Sequence, residues 1–169
     1  TLQWGFPALP RTDPDWIPAV LMNSILGQFG MYGRLGERVR KEEGLVYYIG
    51  TSFSGGIGPG AWQCHAGTQP TTVDRVVEIS RNEVRRIQDK RVTARELDDN
   101  KRYFVGSLPL QMETNEGIAG RILDMRRYNL GFDYLLNYAE RINAITAAQL
   151  QGAAQRWLNA DNFVLTSSG

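Results

Sequence analysis

The 169-residue sequence holds one cysteine, Cys64, and one histidine, His65. A lone cysteine excludes an internal disulfide framework. These two neighbours cannot build a four-ligand zinc site without several carboxylates, and a Ser/His/Asp triad would have only His65 to draw on. The chain is therefore poorly equipped for hydrolysis on its own. An excess of either charge is also missing: 19 Lys and Arg stand against 18 Asp and Glu, a formal net charge of +1. That excludes a whole-chain pull toward nucleic acid or an acidic membrane. No apolar run approaches the ~20 residues of a membrane span. No signal or targeting segment precedes the strand-like run that follows Thr1, so the sequence reads as a piece of a longer protein or a processed chain. A soluble protein is expected, with cytoplasm and periplasm both open.

What is present is ordinary for a soluble domain: 42% apolar and 22% charged residues. Residues 1–169 show no internal boundary or repeat and read as a single domain. Leu2 to Phe6 has strand character and is stopped by Pro7 and Pro10. Asp15 suits the N-cap of a helix carrying Ile17, Val20, Leu21 and Ile25, with Pro18 at the third helical position where its missing N–H costs nothing. Gly27, Gly30 and Gly33 interrupt the chain before a short helix over about 34–43, and Gly44 fits the left-handed position that ends helices. Leu45 to Phe53 and Ala61 to Gly67 read as strands joined by the run Gly55 to Gly60. Thr71 with Asp74, Thr93 with Glu96 and Thr146 with Gln149 have capping-box spacing and open three helices. Pro109 disturbs or ends the second of these. Asn115 to Tyr128 and Phe132 to Ile142 read as two more helices, and Phe163 to Thr166 as a closing strand. Strands and helices do not alternate strictly, which predicts an α+β fold with a mostly antiparallel or mixed sheet.

Most candidate chemistry has a plain structural reading. The Gly55 to Gly60 run has G-x-G spacing but joins two strands, whereas a dinucleotide loop joins a strand to a helix. The basic residues Arg81, Arg85, Arg86, Lys90 and Arg91 alternate with acids and lack aromatics, as on a solvated helix face. Strand alternation sets Trp62 and Cys64 on one face and Gln63 and His65 on the other, so a structural or surface histidine outweighs a ligand. Glu42-Glu43 and Asp98-Asp99 are neighbours that do not face each other. The informative stretch is Arg34 to Tyr48. Arg40 lies near a helix end, Tyr47 early in a strand, and Gly44 turns the chain between them. A guanidinium and a phenol at one sheet edge are suited to a peptide carbonyl or a carboxylate. Equally, an arginine near a helix C-terminus complements the helix dipole, and Tyr47 shares strand parity with Leu45, Ile49 and Phe53, the pattern of a core residue.

Gly33-Arg34-Leu35 followed by Val39-Arg40-Lys41-Glu42-Glu43-Gly44-Leu45-Val46-Tyr47 resembles the signature of the carboxy-terminal, non-zinc half of the pitrilysin/insulinase/mitochondrial processing peptidase family of zinc metallopeptidases, the inverzincins. Tyr32, Gly33 and Gly36 depart from that pattern, which has small serines and an aromatic there. The likeness extends along the chain through Gly5-Phe6-Pro7, Ile25-Leu26-Gly27, Thr93-x-x-Glu96-Leu97, Ser107-Leu108-Pro109-Leu110 and Asp161-Asn162-Phe163. The resemblance implies a two-layer α+β sandwich with helices on one face of the sheet. It implies one of two similar halves that clamp an extended peptide, zinc being held by H-x-x-E-H in the amino-terminal half. That motif is absent here, so no metal or other cofactor is expected in this chain, and zinc is expected in the partner half, fused or separate. Arg40 and Tyr47 match the family's substrate-binding arginine and tyrosine. The implied partners are the zinc-bearing half and a peptide substrate, with self-association of the isolated half a further expectation. A non-catalytic structural or peptide-binding homologue is the alternative.

Overall fold

The computed structural model describes residues 1–28 and 32–169; Gly30, one of the three glycines expected to interrupt the chain, lies outside them. Strand β1 (Leu2–Ala8) alternates cleanly. Leu2, Trp4, Phe6 and Ala8 are buried while Gln3 and Pro7 are exposed, which gives the sheet one apolar face. β1 pairs antiparallel with β3 (Gly60–Thr68) and with β4 (Val164–Ser167), and β3 pairs antiparallel with β2 (Val46–Ser54). The order is β2-β3-β1-β4, so β2 and β4 are the edges. The expected α+β fold with an antiparallel sheet is what forms.

Aromatic packing fixes the middle of the sheet. Trp62 stacks on Phe6 with ring centroids 4.9 Å apart and meets Trp4 edge-on at 4.9 Å. Such pairs add about 0.5–1.5 kcal/mol beyond their buried area. The Trp62 indole N–H donates to the side-chain oxygen of buried Asn23 at 2.9 Å, so the sheet is tied to the helical layer by a satisfied polar contact. That layer begins with α1 (Trp16–Asn23), which runs on into a π-helical turn over Ser24–Gln28. A second π-helix spans Gly36–Glu42. Then come α2 (Val73–Asp89), α3 (Ala94–Gln111), α4 (Asn115–Arg127), α5 (Asp133–Leu136), α6 (Tyr138–Asn143) and α7 (Ala147–Trp157).

The capping boxes at Thr93/Glu96 and Thr146/Gln149 form as read. The one at Thr71/Asp74 does not. The chain makes a 3₁₀ turn over Pro70–Thr72, and α2 starts only at Val73 with Thr72 at its N-cap, where the Thr72 hydroxyl bonds Thr68 and the Gln69 carbonyl and caps nothing. Asp15 occupies the N-cap position of α1 without capping it; its carboxylate instead accepts from the Trp157 indole and from Arg156. Pro109 is carried within α3, which ends at Gln111. The helix expected over Phe132 to Ile142 is two short ones, broken at Asn137. The glycine run is the β2–β3 connection, and a Cβ on Gly55 would come within 2.1 Å of the Trp16 ring.

Arg34, from the turn before the π-helix, reaches Glu96 at the N-terminus of α3 with two bonds of 2.7 and 3.0 Å. Glu96 also accepts from the Thr93 backbone N–H and hydroxyl. Burial by itself would raise this carboxyl, but the Arg34 and Thr93 bonds outweigh it and hold it at about 2 against an ordinary 4.5. A lowered carboxylate stabilises fully above 4.5, and that contribution disappears as the pH falls toward 2. Glu96→Gln should therefore cost about 2–3 kcal/mol at neutral pH. In urea unfolding, the gap between variant and parent should close as the pH falls through that window. A gap independent of pH would show that the bridge is not an ionic one.

Candidate functional site

The π-helix Gly36–Glu42 buries Val39 against the core and holds Arg40, half-buried, in its last turn. Its end is wide. Gly44 N–H donates to the Arg40 carbonyl at 3.1 Å, and Leu45 N–H reaches back six residues to the Val39 carbonyl at 3.1 Å. Gly44 takes φ +66°, the left-handed conformation expected of it. The chain then enters edge strand β2.

Here the structure departs from simple strand parity. Val46 pairs with Thr68, but Tyr48 pairs with Gly67 and Ile49 with Ala66, so Tyr47 is the extra residue of a β-bulge. Val46 and Ile49 are both buried, and the two tyrosines between them both face out. Tyr47 is 82% exposed and is not part of the core. The cause is local: a bulge shifts side-chain alternation by one and re-aims the residue it carries. The bulge brings Tyr47 to Arg40, whose guanidinium carbon lies 5.8 Å from the ring centroid, within cation–π range. Among the described residues Arg40 has no acidic partner and the Tyr47 hydroxyl no hydrogen bond. Tyr47 lines an open depression of about 510 Å³ with Gly44, Tyr48, Gly67 and Gln69; Arg40 flanks Tyr47 but does not line it.

Tyr48 was not singled out by the sequence, although a signal for it was there. Its ring meets Tyr47 edge-on at 6.5 Å and lies 6.2 Å from the His65 ring. A Cβ on Gly67 would come within 2.5 Å of the Tyr48 ring, and one on Gly50 within 3.0 Å of His65. Glycine inside a strand marks such close approaches. His65 is exposed on this outer face while Cys64 is buried on the other, so the two cannot share a metal. Among the described residues no cluster of three or more His, Cys, Asp and Glu is placed to hold one, and the residues present do not fit zinc. The basic residues of α2 are a solvated, paired face: Arg81 and Arg85 both donate to Asp161, and Arg86 pairs with Glu83. Glu42, Glu43, Asp98 and Asp99 each pair with an arginine.

Residues 1–104 match the family described as the peptidase M16 inactive domain. The chain belongs to that family. It is 34% identical to an uncharacterized zinc protease of Streptomyces coelicolor over 119 residues, 70% of this chain and 26% of that protein. It is 38% identical to a protein of Helicobacter pylori named as a non-peptidase homolog over 99 residues, 56% of this chain and 22% of that one. The crystal structure of a peptidase M16 inactive domain from Pseudomonas fluorescens superposes with a TM-score of 0.89 at 28% identity, covering 97% of this chain and 39% of that one. The chain thus spans between 22% and 38% of the length of the curated relatives it matches. No helix among the described residues is long and apolar enough to cross a membrane.

Two outcomes test this geometry. A Cβ on Gly44 meets nothing within 4 Å, so Gly44→Ala should lose about 1 kcal/mol in thermal unfolding from φ alone, and Gly44→Asn less. Equal stability of all three would remove the left-handed turn from the account. Burial pushes the Cys64 thiol up to about 12, so it should react with iodoacetamide only at the rate of unfolding; rapid alkylation of the native chain would contradict its placement.

Proposed function

We propose that this chain is the substrate-binding, non-zinc half of a zinc-dependent metalloendopeptidase, holding an extended peptide for hydrolysis by a zinc-bearing partner half. The observation that carries the reading is the bulge at Tyr47, which sets a phenol beside the Arg40 guanidinium on an edge strand. An edge strand has unpaired backbone N–H and C=O groups, and an extended peptide satisfies them by lying alongside. The Tyr47 hydroxyl and the Arg40 guanidinium then donate to the peptide backbone beside the scissile bond and stabilise the negative charge that develops on the oxygen of the attacked carbonyl. The zinc and the attacking nucleophile belong to the other half. This chain supplies position and hydrogen bonds, and alone it hydrolyses nothing.

A second reading is favoured by one observation, the relative named as a non-peptidase homolog. In that reading the same edge binds a peptide or a protein partner without cleavage. In the intact protein with its zinc-bearing half, Tyr47→Phe and Arg40→Ala should each lower kcat/KM for peptide cleavage by about 10²–10³-fold. Unchanged turnover in both variants would return Arg40 to the helix dipole and Tyr47 to the surface. Peptide binding without cleavage by the parent, lost in Arg40→Ala, would select the second reading. The isolated half, lacking the partner that covers its edge, should self-associate in size-exclusion chromatography as concentration rises; a monomer throughout would count against an uncovered interface.

A further inference from the structure

At the far end of β2 from Tyr47, about 25 Å along a strand of this length, the helical layer borders a second, half-open cavity of about 310 Å³. Arg11 N–H donates to the Gly56 carbonyl at 3.0 Å, and the Tyr128 hydroxyl reaches Gly55 at 3.5 Å, which places the cavity beneath the β2–β3 connection. Arg11 is half-buried there among rings. Its guanidinium carbon is 5.0 Å from the Trp16 centroid, 5.7 Å from Tyr128 and 5.5 Å from Tyr134. One of its five N–H groups donates to the Tyr134 hydroxyl at 3.1 Å. Arg141 approaches the Tyr134 ring too, at 5.4 Å, and Arg121 lines the cavity while donating to Gln111.

Among the described residues none of these three arginines forms an ion pair. Arg11 and Arg121 are half-buried and Arg141 is exposed; the half-buried Arg34 and Arg81, by contrast, each reach a carboxylate. Among the described residues Asp124 is the one acid on the cavity wall, and it forms no ion pair. Tyr138 adds a hydroxyl with no hydrogen bond among the described residues. Burial first, and Tyr134 second, push it up to about 12 against the opposing pull of Arg121 and Arg11, so it remains a donor. The cavity therefore combines convergent donors and net positive charge with aromatic and aliphatic walls from Trp16, Phe104 and Ile142.

We propose that this cavity is a binding site for a small organic carboxylate with an aromatic or apolar body, its carboxylate held between Arg11 and Arg121 and its body against Trp16 and Phe104. A guanidinium takes a carboxylate through two parallel bonds, and an anion here supplies the ionic partner that Arg11 and Arg121 lack among the described residues. The site is independent of the peptide-binding edge.

The probe is 3-phenylpropionate, titrated calorimetrically into the intact protein. Saturable binding is expected, weakened about tenfold or more in Arg121→Gln and strengthened in Asp124→Asn, where a repelling charge is removed. Tyr47→Phe should leave it unchanged. The neutral 3-phenylpropanamide and inorganic phosphate should bind far more weakly. Arg121 carries the test because Arg11→Gln removes a guanidinium that three rings pack around. Absence of saturable binding would overturn the proposal. So would equal affinity in Arg121→Gln, phosphate binding as tightly as the probe, or loss of the site in Tyr47→Phe.

Discussion

One extra residue in the β2–β3 ladder governs the sheet edge. From Ile49 onward the register keeps Ile49 and Thr51 on the helix-covered face, and Val46 must also be buried. With strict alternation these demands conflict, because 46 and 49 have opposite parity. The bulge resolves the conflict by leaving Tyr47 unpaired, and two consecutive tyrosines are turned outward as a result. Burying a large side chain is worth about 1.5–3 kcal/mol, so the arrangement forgoes stability at Tyr47 and gains a phenol aimed away from the core. Gly50 and Gly67 follow from the same register. They lie opposite His65 and Tyr48 and leave room for those rings to lie on the sheet.

The bulge aims Tyr47, but Arg40 is set by the helix before it. The π-helical winding of Gly36–Glu42 starts from a turn pinned by Arg34 to Glu96 and stops at the left-handed Gly44. Wound helix and bulged strand each contribute one irregularity, and the two meet at a single contact between guanidinium and ring. π-helical segments and bulges both concentrate where side chains are positioned for function. Buried Cys64, one strand away, shows the opposite environment: burial keeps its thiol protonated.

Features dictated by local chemistry were legible in the sequence. The capping boxes at Thr93 and Thr146, the stop at Gly44 and the split of Cys64 and His65 across β3 depend on spacing and alternation alone, and they form as read. Features that depend on distant partners were not. Asp15 leaves its capping role because Trp157 and Arg156, on α7, claim its carboxylate. Tyr47 carries the parity of a core residue, and only the pairing of β2 with β3 reveals that it is the bulged position. That Arg40 and Tyr47 meet at one sheet edge was legible from the turn at Gly44; the geometry of the bulge was not. The second cavity left no trace, since Arg11, Arg121 and Tyr134 are far apart in sequence and share a wall only in the folded chain.

An exposed strand edge is a hazard that proteins usually blunt with charge, proline or a covering loop. In β2 the outward residues at the bulge are two tyrosines, and the nearby charges on Arg40 and Lys41 belong to the preceding helix. Lys41 is engaged by Glu37 and by the Tyr32 ring, which leaves the Arg40 guanidinium beside Tyr47 without an acidic partner among the described residues. Aromatic faces and an unpaired guanidinium do not repel another strand; they offer it stacking surface and hydrogen-bond donors. An edge so equipped supports the proposed occupant. Its chemistry, carbonyl oxygens spaced along an extended backbone, fits the peptide of the proposed function better than a charged or compact ligand, for which the second cavity has the walls and the paired donors.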